Sequence, residues 1–297
     1  MNKIKTIISK EWAEVFKNRM VLFTVAFLPL ILTAIPLIML VVMNQFGGDM
    51  GMGELSNSGE LDILGVRCAG LNEMDCTTLY MLDLFTMMFM ILPVAIPVTI
   101  AAYGIVGEKA THSLEPLLAT PITTTELLMG KAVAAVVPAI LATWFAFLIY
   151  LIGAWFFVSS ELFLLLIDPM WAIAIIVVGP LLALLSVCFA IMVSSRVTDP
   201  RVAEQLSTLV ILPLIMIIIG QSVGIVILSR ELVLLIAVGL IVIDAVLLYL
   251  SVKLFQRETI LTRWKQDIYA SVLPPSTAVA CILRRTKSST NNIVPPA

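Results

Sequence analysis

Six uninterrupted apolar runs constrain this chain more than any other feature of it. They cover Met20–Met43, Leu84–Val106, Ala132–Val158, Trp171–Val193, Thr208–Leu228 and Leu232–Val252, each 21 to 27 residues long. A helix needs about 20 residues to cross roughly 30 Å of hydrocarbon, so each run is long enough to span. Lipid offers backbone polar groups no partner, which leaves only helices or closed barrels, and a barrel would show short alternating segments instead. The sequence therefore predicts an all-α membrane protein with six transmembrane helices. Of its 18 basic and 20 acidic residues, only Asp244 falls inside the runs. No soluble core could hide a chain that is 60% apolar, and disorder, a secreted disulfide scaffold and nucleic-acid binding are excluded on the same ground.

Charge sorting sets the expected orientation. Lys3, Lys5, Lys10, Lys17 and Arg19 precede the first run, while the loop from Asn44 to Asp83 holds Arg67 alone. Continued along the chain, alternate segments carry 16 Lys and Arg against 2, which places both termini in the cytoplasm and the acidic loop outside. The first run, at 24 residues, exceeds the roughly 7–15 of a signal-peptide core and reads as a retained helix. Prolines punctuate five runs, and Gly220, Gln221, Ser222 and Gly224 interrupt the fifth near its outer end, where a short or broken stretch is expected.

Residues 1–19 read as an amphipathic interfacial helix, because Ile4, Ile7, Ile8, Trp12, Val15 and Phe16 recur at helical spacing. Such a helix is either a membrane anchor or an element that also receives a cytosolic partner. The membrane domain is expected over 20–265 and a cytoplasmic tail over 266–297. Cys68 and Cys76 share the external loop, as a disulfide or as two free thiols. Asp244, deep in the sixth run, requires a polar partner or a proton. It reads as a structural hydrogen bond, to Ser186, Gln221 or a second copy of the chain, in preference to a cation site in a translocation path. Asp83, at the outer end of the second run, reads as an interfacial carboxylate.

Between the second and third runs, Gly107–Lys131 is too apolar for a solvated linker. Pro116 and Pro121 limit it to short helical pieces, and Thr123 with Glu126 has the spacing of a capping box. Leu114, Leu117 and Leu118 then need a surface to bury against, the bilayer interface or a partner protein. Glu108-Lys109, Leu114-Glu115-Pro116-Leu117-Leu118-Ala119-Thr120-Pro121, Glu126-Leu127-Leu128 and Gly130-Lys131 resemble the cytoplasmic loop of ABC-2 type permeases, the membrane subunits of a class of ATP-binding-cassette exporters. The resemblance extends over about residues 1–265 and includes a post-membrane segment, Phe255 to Lys265, similar to the family's usual ending. Where that family often has Glu-Arg-Gly-Thr, this chain has Ala110-Thr111-His112-Ser113. His112 is the sole histidine, and without a second ligand it points to no metal or catalytic role.

The resemblance implies a permease subunit that forms an exporter's pathway with a second copy or a homologue. It implies cytosolic ATPase subunits docking on a loop built from Glu108, Lys109, Leu114, Glu115, Pro116, Leu117, Leu118 and Pro121, and a multi-pass protein of a prokaryotic plasma membrane. The residues themselves contain no phosphate-binding loop, since Thr125 and Ala132 replace the glycine and hydroxyl that such a loop needs around Gly130-Lys131. No nucleophile elbow or zinc-protease pattern occurs either. The chain is expected to be neither an enzyme nor a cofactor binder, with ATP held by the partner subunit. An ion-coupled secondary transporter using Asp244, or a non-transporting membrane interaction or immunity protein, remains the alternative.

Overall fold

The computed structural model describes residues 2–17, 19–46, 73–110, 123–197, 199–223, 225 and 229–272. Every regular element among them is helical. In order these are α1 (Asn2–Lys17), α2 (Arg19–Phe46), α3 (Glu73–Met88), α4 (Leu92–Ala110), α5 (Thr124–Phe157) and α6 (Ser160–Leu166). They are followed by α7 (Pro169–Ile173), α8 (Gly179–Arg196), α9 (Pro200–Ser207), α10 (Leu212–Ser222) and α11 (Arg230–Val272). Among the described residues, six helical stretches are long and apolar enough to cross a membrane: Val21–Met43, Asp75–Gly107, Thr125–Phe157, Ser160–Arg196, Pro200–Ser222 and Arg230–Leu254. The chain divides into Met1–Val252, which holds the bundle, and Lys253–Ala297.

Prolines explain why several spans are built from two helices. A proline at position i cannot donate to the carbonyl at i−4, and in lipid that carbonyl has no water to turn to. Pro93 would leave the Phe89 carbonyl open, and the chain tightens to a 3₁₀ turn over Phe89–Ile91 so that the Leu92 N–H serves it. The same device operates at Thr208–Ile211, where the Leu212 N–H reaches Leu209 in place of Pro213. Before Pro180 the chain widens instead, into a π segment over Ala174–Val178 in which the Gly179 N–H bonds Ala174. That register leaves the Ile175 carbonyl facing the missing N–H of Pro180, and the indole of Trp144 donates to it at 3.4 Å.

The second span is the most enclosed and the fifth the least. Its α4 half packs most extensively on α8, while α5 lies against both α2 and α4. Tyr150 of α5 is fully buried beside Phe89 and donates its hydroxyl to the Leu82 carbonyl at 3.3 Å. Asp83, expected as an interfacial carboxylate, is enclosed within the bundle. It is 3% exposed and accepts the Trp171 indole N–H at 2.9 Å, joining the second span to the fourth. The reason is tertiary: α6 packs against α3, and Trp171 of α7, which follows it, brings its indole to the carboxylate, so Asp83 has an internal donor instead of water.

The fifth span stops early, as its Gly-Gln-Ser-Val-Gly interruption at 220–224 suggests. Helix α10 ends at Ser222, where Tyr80 donates its hydroxyl to the terminal carbonyl at 2.9 Å and the Ile225 N–H closes back on Gly220. The capping box is formed as expected. Thr123 Oγ1 accepts from the Glu126 N–H at 3.3 Å, and the Thr123 N–H donates to Glu126 Oε2 at 3.0 Å.

Candidate functional site

The amino-terminal helix buries a stripe that its apolar periodicity does not anticipate. Ile7, Glu11 and Val15, four residues apart, face the bundle at 6%, 5% and 9% exposure, while Trp12 lies at its edge. A carboxylate therefore sits at the centre of the buried face. Glu11 Oε1 accepts from Lys131 Nζ at 2.6 Å, and both side chains are 7% exposed. An ion pair so enclosed is held only where geometry and neighbouring polar groups offset desolvation.

Two glycines make the approach possible. A Cβ at Gly130 would stand 2.9 Å from Ile7 Cγ2, and one at Gly104 would stand 3.2 Å from Glu11 Oε2. A methyl at Gly130 would force the Ile7 side chain to shift, and one at Gly104 would press on the Glu11 carboxylate. The third contact answers another proline: Pro138 cannot serve the Ala134 carbonyl, and the Trp12 indole N–H donates to it at 3.1 Å. Thus Ile7, Glu11 and Trp12 on one helix meet Gly130, Lys131 and Ala134 on the other. Trp12→Phe is expected to lower thermal stability by about 1 kcal/mol, read from melting of the purified protein, because the carbonyl loses its donor while the ring remains.

This latch brackets the apolar connecting segment. Gly104 lies near the end of α4 and Lys131 lies two turns into α5, so α1 touches the bundle on both flanks of residues 111–122. The backbone of Glu108 and Lys109 continues α4, whereas Leu114, Glu115, Pro116, Leu117, Leu118 and Pro121 lie outside the described residues. Beside the latch, a cavity of about 110 Å³ is lined by Glu11, Glu14, Val21, Ile100 and Tyr103. Helix α9 closes the same end of the bundle, with Glu204 accepting from Thr99 Oγ1 at 2.8 Å and lying beside the Tyr103 phenol.

The sequence shows Trp12 as part of an apolar face and Gly130-Lys131 as part of the family-like segment, and it gives Glu11 and Gly104 no role. The available signal was a glutamate interrupting the Ile7-to-Val15 spacing, a charge where a membrane-facing stripe should have none.

Asp244 is placed differently from what its chemistry suggests. It is 3% exposed, on the inward stripe of α11 with Val233, Ala237, Leu240 and Ser251. Neither of its carboxylate oxygens has a hydrogen-bond partner among the described residues. Neither Ser186 nor Gln221 supplies the expected bond: Ser186 donates to Ala183, and both Asp244 oxygens and Gln221 Oε1 lack a partner among the described residues. Ser186 spends its hydroxyl on a carbonyl of its own helix, three residues back. Cys76 is disulfide-bonded and Cys188 is a free buried thiol. Cys68 lies outside the described residues.

Such an arrangement, six spanning helices with an amino-terminal helix latched across one end, defines a multi-pass integral membrane domain. Residues 5–271 match the family described as ABC-2 family transporter protein, and the chain belongs to that family. It is a membrane permease subunit of an ABC transporter. No curated protein matches it.

Proposed function

We propose that the chain is the pathway-forming half of an exporter, paired with a second copy or a homologue and driven by separate cytosolic ATP-binding-cassette subunits that hold the ATP. Both termini lie in the cytoplasm on this reading, in a prokaryotic cell membrane. One observation carries it: the buried Glu11–Lys131 pair ties α1 to the flanks of Gly107–Lys131. A push delivered to that segment is passed to α4, α5 and α1 together instead of being absorbed by a loose loop. The apolar Leu114, Leu117 and Leu118 supply the docking surface, and the spans convert its displacement into alternating exposure of the pathway.

Replacing Leu117 and Leu118 together by Asp tests this. Burying a leucine is worth about 1.5–3 kcal/mol, so two charges there should abolish docking while leaving every span intact. The expected result is normal membrane abundance, loss of the co-purifying Walker-motif ATPase and loss of ATP-driven transport. Unchanged ATPase recovery and transport would remove the segment as the contact. Orientation is checked with single cysteines: Ser58→Cys is expected to react with an impermeant thiol reagent in intact cells and Thr123→Cys only after permeabilisation. The opposite pattern would invert the topology.

A further inference from the structure

We propose that a groove between the third and fourth spans holds one acyl chain of a bilayer phospholipid whose headgroup carries an ammonium group. The groove encloses about 390 Å³. Its floor is Leu166, Trp171 and Ile175, all at most 2% exposed, and its mouth is formed by the exposed Trp144, Leu148 and Ile176.

Both indoles lining it have already spent their N–H groups. Trp171 donates to Asp83 at 2.9 Å and Trp144 to the Ile175 carbonyl at 3.4 Å. They therefore present only ring surface to the space, which suits a hydrocarbon and offers a polar ligand nothing. A helix of a second copy does not fit. One turn of helix about 10 Å across and 5.4 Å long already occupies roughly 420 Å³, whereas a single flexible chain can enter. Lipid tails are as apolar as the groove, so no hydrophobic gain draws the chain in. What holds it is the recovery of dispersion contacts that an empty groove would forfeit.

The headgroup preference comes from charge. Asp168 lines the groove at the turn before the fourth span, where its Oδ1 accepts the Met170 N–H at 3.0 Å. Ile175 and Ile176 lie seven and eight residues further, about 11–12 Å along the helix, which keeps the groove within one leaflet. From Val158 to Met170 the chain carries Glu161 and Asp168 and no Lys or Arg. An ammonium at that level is attracted, and a headgroup with net negative charge is repelled.

Native mass spectrometry of the full-length, delipidated protein tests this with phosphatidylethanolamine and phosphatidylglycerol of identical chains. The expected result is one ethanolamine lipid retained per protomer, at about fivefold preference over the glycerol lipid, as a solvent-accessible charge pair allows. Ala172→Phe fills the groove and should abolish retention of both lipids. Should that variant fail to fold, Leu148→Trp closes the mouth from the other wall. Asp168→Asn preserves the helix cap and should keep chain retention while bringing the two lipids to parity. Equal retention by the wild type and a folded groove-filling variant would overturn the proposal. So would disulfide cross-linking of Leu148→Cys to a second copy in membranes, or release of the bound lipid on ATP-driven turnover, which would make it cargo.

Discussion

Lys131→Met is expected to destabilise the bundle by about 3–5 kcal/mol, the range found when one partner of a buried ion pair is removed. The substitution keeps most of the side-chain volume, so the effect isolates charge. Glu11 would remain 5% exposed, against Gly104 and under α5, with its cation gone. The double variant Glu11→Leu with Lys131→Met should recover most of that loss, because a well-packed apolar pair of similar volume is often neutral or better. Chemical unfolding in detergent reads both numbers, and the double-mutant cycle gives the coupling between the two sites. If the single variants cost less than about 1 kcal/mol, the range of solvent-exposed pairs, the latch is open in the folded protein. The double variant has a second use. Restored stability with impaired ATP-driven transport would separate the latch as a transmission element from the latch as a structural one.

Asp244→Leu is expected to stabilise the protein, a result opposite to that for most buried polar residues. A carboxylate near the centre of a spanning helix costs about 2.5–3.5 kcal/mol on insertion scales. Here neither oxygen recovers any of it through a hydrogen bond among the described residues. Leucine has the same branch at Cγ and suits the stripe formed by Val233, Ala237 and Leu240. Asp244→Asn should fall between the two, since it removes the charge but keeps an amide that also lacks a partner. Melting temperature and membrane abundance are the readouts. A Leu variant that loses stability or assembly would show that the carboxylate meets a donor in the assembled transporter, such as a second copy. A stable Leu variant that no longer transports would show that the charge is retained for function at a cost in stability.

Much of the architecture is legible in the sequence because it depends on neighbours along the chain. Length and apolar continuity give the six spans, and the Thr123–Glu126 spacing gives the cap of α5. The Gly220–Gly224 interruption gives the early end of the fifth span. Even the sites of helix irregularity are local, since each proline names the carbonyl it cannot serve.

What answers those carbonyls is decided elsewhere. Sequence alone shows that Pro93 and Pro138 each leave a carbonyl open, but Leu92 supplies one from the next turn and Trp12 supplies the other from 122 residues away. The Glu11–Lys131 pair spans 120 residues, and the Trp171–Asp83 bond spans 88. A side chain's periodicity tells which face of its helix it occupies; it does not tell which other helix that face will meet. Six membrane spans with an amphipathic helix in front therefore follow from the order of residues along the chain. Helix packing is what latches this helix through a buried charge, encloses Asp83, and leaves Asp244 without a hydrogen-bond partner among the described residues. The energy of a polar group in a bundle is set by the donor or acceptor opposite it, and that is fixed by helix packing.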